Sequence, residues 1–347
     1  MYYIYILNLI NYAVAFMKTN RIYPHKLYGS PLYEKPNWNF IGKSLKSKAR
    51  NWFVSRAEQR GIKWNETTNF YKNNLNSLNY WKVENINMSI DYPSYYMKPF
   101  HGYDDGNLNW DAAYEGEAAT LSMSANYWKE VSPETSEKWL RNNITQNVDN
   151  YILKYSNMNL LEFIPLKISL LNDNEDYLDD KILDIGCSFG ICTEYLQKHY
   201  EESIITGVDL SPYFLAIASL RNNIISNNIS YIHANAEQMP FKNDSYDKTF
   251  IQYLFHEMPK CAIINVINEA YRILKPGGIL TIVDLDPKNL NEHLSINIFR
   301  KWAFEVTEPH IFEYYTTNMT ELLLDSGFCN IESKKNDPIN TIIMAQK

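Results

Sequence analysis

The second half of the chain predicts an α/β fold: a mostly parallel sheet covered by helices on both faces and closed by a C-terminal antiparallel hairpin. Three observations carry this. From Lys181 onward, short apolar runs alternate with amphipathic stretches. The leading runs end in an acid or a glycine. The last two runs are separated by little more than Asn336-Asp337-Pro338. Strands alternating with helices imply βαβ units and a parallel sheet. A connection as short as the last one allows only antiparallel pairing. Ahead of this lies an N-terminal extension expected to be mainly helical.

The elements follow in order. KILDIG (181–186) reads as a strand, and Ile191 to Tyr200 as an amphipathic helix. SIITGVDL is strand and YFLAIASLRNNII helix. ISYIHA and YDKTFIQYLF are strands. CAIINVINEAYRIL has helical spacing, and GGILTIVDLD is strand. NMTELLLDSG is helix, and CNIESKK and NTIIMAQ are the two strands of the hairpin. Apolar runs of this length suit strands buried on both faces.

Composition narrows the class. The chain has 347 residues, 45% hydrophobic and 21% charged, with a net charge of −7. Those values fit a globular protein and exclude wholesale disorder, collagen and a polytopic membrane protein. Its four cysteines form no CxxC pair, so no disulfide framework or structural zinc site is expected, and no metal. The charge is uneven. Residues 1–17 carry none, and residues 18–63 carry eleven Lys or Arg against Glu34 and Glu58. The hydrophobic start is too short for a stable membrane span, which needs about 20 residues. A basic leader ahead of an acidic body suggests targeting, with residues 1–48 as a leader without fixed structure. Residues 49–170 then form the extension and 171–347 the sheet domain. No nucleic-acid module accompanies the basic stretch, so nucleic acid is not an expected partner.

In open α/β sheets the ligand lies outside the carboxyl ends of the strands. Three places there are unusual. Asp184-Ile-Gly186-Cys187-Ser188-Phe-Gly190 puts glycines at a strand-to-helix turn, where backbone can approach a ligand closely. Asp209, in Val208-Asp209-Leu210, closes the next strand and suits both hydroxyls of a ribose. Asn235 and Ala236 follow the third strand, where a polar group and adjacent backbone suit an adenine edge.

DIGCSFG, VDLS, HANAEQMPF, SYDKTFIQYLFHEMP and EAYRILKPGGILTIVD stand in one order and spacing. Over about residues 180–285 this series resembles the class I S-adenosylmethionine-dependent methyltransferases, type 11 branch. The resemblance implies a Rossmann-like seven-stranded sheet and S-adenosyl-L-methionine as cofactor. By position it implies that Asp184, Gly186, Cys187, Ser188 and Gly190 line the methionine part, with Asp184 near the ammonium. Asp209 with Leu210 would hold the ribose, Asn235 and Ala236 the adenine, and Gln252 would face the cofactor. Ser188 stands where the family has its middle glycine, and Asn235 where it has Asp. Segments 50–66, 92–120, 209–218, 255–259 and 307–315 also look like a little-characterised methyltransferase subgroup of photosynthetic bacteria and plastid-bearing cells. That likeness implies a plastid-type organelle and no assigned acceptor.

The remaining candidates concern catalysis. His256 and Glu257 follow the fourth strand on the expected substrate side, and a histidine is suited to accept a proton near neutral pH. Segment 92–120 mixes aromatics with acids and turn residues, which suits a lid, and contains the third candidate, His101. Thr307-Glu308-Pro309-His310 is expected to flank the pocket. The expected reaction is methyl transfer to a small, hydrophobic or aromatic acceptor. Two other readings stand beside it. Ser188 and Asn235 allow a degenerate methyltransferase fold acting as a binding or partner subunit. Gly186-x-Ser188-x-Gly190 also fits a hydrolase nucleophile elbow, but the acids at 184 and 209 have no role there.

Overall fold

A computed structural model describes residues 43–100, 103–155, 180–225, 228–288 and 308–347. Five helices come first: α1 (Lys43–Gln59), α2 (Trp64–Asn73), α3 (Leu75–Asn85), α4 (Trp110–Ser124) and α5 (Pro133–Tyr155). The sheet domain then runs β1 (Lys181–Ile185), α6 (Ile191–His199), β2 (Ile204–Asp209), α7 (Pro212–Ile225), β3 (Ser230–His233) and β4 (Tyr246–Gln252). It continues with α8 (Lys260–Ile273), β5 (Leu274–Leu285), α9 (Ile311–Thr316), α10 (Met319–Asp325), β6 (Cys329–Lys335) and β7 (Asn340–Gln346).

The seven strands lie in the order β3-β2-β1-β4-β5-β7-β6. The first five are parallel, and β7 enters antiparallel between β5 and β6. This is the Rossmann-like methyltransferase sheet with its C-terminal hairpin. Strand order reverses between β1 and β4, which opens a crevice above their carboxyl ends. Asp337 shapes the hairpin turn: its Oδ1 accepts the Ile339 and Asn340 N–H groups, both at 2.9 Å.

Two cores sandwich the sheet because successive strand residues face opposite sides. Leu183, Ile185 and Ile251 pack with Ala262, Ile263, Val266, Ile267, Ala270 and Ile273, one stripe of α8 at helical spacing. Ile182, Phe250 and Val283 pack instead with Ile144, Val148 and Tyr151 of α5. Each such side chain contributes roughly 1.5–3 kcal/mol by leaving water. The extension therefore supplies one of the sheet's own covering helices. The expected boundary near residue 170 lies outside the described residues and separates stretches of sequence rather than layers. The expected leader boundary at 48 falls inside α1. The rest of the leader also lies outside the described residues.

Helices α2, α3 and α4 pack on α7 through Tyr71, Leu78, Ala112, Ala113, Phe214 and Ile217. Ser211-Pro212 starts α7 as the sequence suggests. The Ser211 hydroxyl accepts the Phe214 N–H at 3.3 Å, and proline takes a position that needs no donor. The same hydroxyl donates to Asn107 O at 2.7 Å, which fastens the N-terminal extension (the cap) to the sheet domain. Among the described residues no helix is long and apolar enough to cross a membrane.

Candidate active site

The crevice is built from the turn after β1. Gly186 adopts φ +76°, and the N–H groups of Gly186 and Cys187 both donate to Val208 O, at 2.8 and 2.9 Å. Ser188 has φ +52°, a left-handed conformation costing a side-chain-bearing residue about 1–2 kcal/mol. That conformation is one glycine adopts without this cost. It also aims the Ser188 N–H at Asp209 Oδ2, 2.9 Å away, while the Ser211 N–H reaches Asp209 Oδ1 at 2.7 Å. Asp209 is thus fixed at the cleft wall, and its two oxygens together keep acceptor capacity beyond these backbone bonds. Burial lifts its pKa to about 6, against the pull of those backbone bonds.

Gly186, Cys187, Ser188, Asp209 and Leu210 line one cleft, and Asn235, Ala236, Gln252, His256 and Glu257 line the same one. Two expected residues do not. Asp184 alternates to the α6 side of β1, where its Oδ2 accepts the Thr193 hydroxyl at 2.7 Å. It is 1% exposed, and burial raises its pKa to about 6. Gly190 lies behind the turn at the start of α6 with φ +78°, and a side chain there would overlap Tyr231. His101 lies outside the described residues, as does Thr307.

The end of the cleft at Asn235 is braced by the N-terminal extension. Asn235 Oδ1 accepts the Glu237 N–H at 2.9 Å, so part of its capacity shapes its own loop. The Tyr95 hydroxyl donates to Glu237 Oε1 at 2.8 Å. Burial lowers the pKa of His233, whose Nδ1 accepts the Asn87 N–H at 2.9 Å.

At the other end, residues 255–257 form a short 3₁₀ turn that presents His256 and Glu257. His256 Nδ1 lies 2.8 Å from Asp284 Oδ1 at the end of β5. Burial alone would lower the imidazole pKa, but the Asp284 carboxylate outweighs it and holds the value at about 9. Burial raises Glu257 to about 7. Tyr95, Tyr96, Phe100 and Tyr103 line this cleft, as does the α4 face formed by Ala112, Gly116, Thr120 and Met123. Segment 92–120 therefore borders the site directly. Among the described residues, the Ser188 hydroxyl has no hydrogen bond to an imidazole, so the hydrolase arrangement is not assembled.

Sequence reasoning missed Asp284 and Arg141. Asp284 had a signal, an acid inside the apolar run ILTIVDLD. Arg141, on α5, reaches the wall and donates from Nη1 to Gln252 Oε1 at 2.9 Å. Nothing local marks it, since which face of α5 is buried depends on the sheet.

Residues 182–278 match the family described as "Methyltransferase domain". Over those residues the chain is similar to methyltransferase domains. An uncharacterised methyltransferase of Synechocystis sp. is 33% identical over 149 residues, covering 43% of this chain and 66% of that protein. The chain thus spans just under two thirds of that relative. A ubiquinone/menaquinone biosynthesis C-methyltransferase of Wigglesworthia glossinidia brevipalpis is 29% identical over 222 residues, 56% of this chain and 87% of its own length. The crystal structure of a SAM-dependent methyltransferase from Methanosarcina mazei aligns with TM-score 0.40 and 22% identity, over 52% of this chain and 96% of that one. S-adenosyl-L-methionine is the cofactor of this domain class. The methyltransferase domain fits it here through the fixed Asp209 carboxylate and the Gly186 turn, where a Cβ would come within 3.1 Å of Leu254.

Proposed function

We propose that the protein transfers a methyl group from S-adenosyl-L-methionine to a small hydrophobic or aromatic acceptor held beneath the cap. The observation that carries this is a single cleft. Cofactor-type residues occupy its sheet side, and tyrosines, Phe100 and the His256–Glu257 pair line the rest. Pockets of this composition, apolar with a few placed polar groups, suit small molecules. The Wigglesworthia relative, named for quinone biosynthesis, supports a ring-bearing acceptor.

When bound, the cofactor supplies an electrophilic methyl group on a sulfonium. The chain's own residues position and exclude water, and alignment of the two reactants accounts for much of the rate. Asp209 orients the nucleoside through its remaining lone pairs. His256 departs from the expected role. Near pH 7 it retains its proton, so it donates to a developing oxygen anion instead of accepting. Glu257, at about 7, is the group matched to accept a proton.

The test is transfer of labelled methyl from S-adenosylmethionine into small-molecule extracts, with Glu257→Gln as the control. Label should appear in a hydrophobic product and fall at least about a hundredfold in the variant if the acceptor must lose a proton. No labelled product from any extract contradicts the reading. We also assign residues 1–48 to plastid-type targeting. A reporter fused to residues 1–63 should reach an organelle, and a cytosolic reporter would defeat that assignment.

A further inference from the structure

Arg141 stands ahead of the matched family segment and nothing in that match assigns it a role. Its side chain is 3% exposed, yet it borders the cleft together with Gly186, Cys187 and Cys192. It is the one guanidinium on the described wall. Of its five N–H donors, Nε is 2.8 Å from Glu137 Oε1, Nη2 is 2.8 Å from the same oxygen, and Nη1 donates to Gln252 Oε1 at 2.9 Å. Two donors stay uncommitted.

The surrounding carboxylates are also incompletely used. Glu137 Oε2 and Asp184 Oδ1 are buried and accept no hydrogen bond, and their residues are 2% and 1% exposed. Buried polar groups without partners are rare and call for an explanation. Two carboxylates against one guanidinium also leave the cluster one negative charge in excess. Glu137 and Asp184 lie behind the wall and act on the cleft through their charge, so the arrangement is complementary to a ligand presenting an anion beside a cation, an α-amino-acid zwitterion. Its carboxylate takes the spare Arg141 donors, and its ammonium lies in the negative field of the two carboxylates, with the cluster's net charge unchanged.

We infer that Arg141 receives the α-carboxylate of the cofactor's amino-acid end, with Glu137 and Asp184 supplying the negative field for the adjacent ammonium. This rests on the methyl-transfer reading. It replaces the expectation that Asp184 alone faces the ammonium from the cleft wall. It also makes the cofactor site composite, because α5 belongs to the N-terminal extension and covers the sheet through Ile144 and Val148.

The test uses two ligands measured by calorimetry on the full chain. S-adenosylhomocysteine carries the amino-acid end, and 5′-methylthioadenosine lacks it. Arg141→Met should weaken S-adenosylhomocysteine about 30-fold while leaving 5′-methylthioadenosine within about threefold. Arg141→Lys should recover part of the loss. Should Arg141→Met fail to fold with Glu137 left unpaired, the double variant Glu137→Gln/Arg141→Met removes both charges and should give the same split. Equal weakening of both ligands, or unchanged S-adenosylhomocysteine affinity, overturns the inference while leaving the methyl-transfer reading intact. Wild-type protein that binds neither ligand overturns both.

Discussion

Asp284 decides what His256 is able to do. A buried imidazole without a carboxylate partner loses its proton easily, and one bonded to a carboxylate keeps it. In Asp284→Asn the His256 pKa should fall from about 9 to 6.5 or below, read from histidine NMR titration. An unchanged value would mean that Asp284 is not the cause. Because the folded value is raised, this pair stabilises the protein fully below the ordinary histidine range. That contribution is lost as pH rises through about 9. Asp209 runs parallel in sign but matters for the ligand. Burial raises it to about 6, so its contribution to stability is greatest when protonated and declines as pH rises through that value. Ribose hydroxyls need the ionised form as acceptor. Cofactor affinity should therefore fall as pH drops through about 6 and be flat above it, measured by titration at several pH values. Affinity that is constant down to pH 5 would contradict this.

Between elements, α4 approaches the turn after β1 closely. Gly116 sits inside α4, and an added Cβ there would overlap the Phe189 ring. Phe189 in turn packs on Phe214 of α7, with centroids 4.4 Å apart. Alanine is the better helix former by about 1 kcal/mol, yet overpacking typically costs about 1–3 kcal/mol. Gly116→Ala should thus lower the melting temperature and weaken cofactor binding. A rise in both would show that Phe189 moves freely. At this scale the sequence was readable where chemistry interrupts a pattern. Acids and glycines ending apolar runs placed Gly186, Asp209, Asn235 and the order of elements from β1 to β7. Asp184 misled because strand alternation turns it away from the crevice its neighbours line. Gly116, Arg141 and the pairing of Asp284 with His256 were not readable. Each depends on which distant segment lies opposite, and no local spacing encodes that.

Over the whole molecule, the extension is held to the sheet domain by half-buried charge as well as by apolar packing. Arg221 of α7 donates from Nε and Nη2 to the two Glu194 oxygens at 2.8 and 2.7 Å, and pairs through Nη1 with Glu117 of α4. The Tyr71 hydroxyl of α2 donates to Glu117 and lies 3.4 Å from Arg221 Nη1. Removing the cation leaves two half-buried carboxylates facing each other, a cost between the ~1 kcal/mol of a surface pair and the ~3–5 kcal/mol of a buried one. Arg221→Met should lower the urea midpoint accordingly. A loss below about 1 kcal/mol would place this network among weak surface pairs. Further ties run from Asn85 to Ser219 and from Tyr95 to Glu237, so cap and sheet should unfold together.

We propose that the turn at 186–188 and the Asp209 carboxylate grip an adenosyl ligand. Calorimetric titration with S-adenosylhomocysteine at neutral pH tests it most directly, comparing wild type with Asp209→Asn. Saturable binding is expected at about one ligand per chain, with a Kd on the order of micromolar, weakened at least about tenfold in the variant. No binding at about 1 mM ligand, or equal affinity in both proteins, would contradict it.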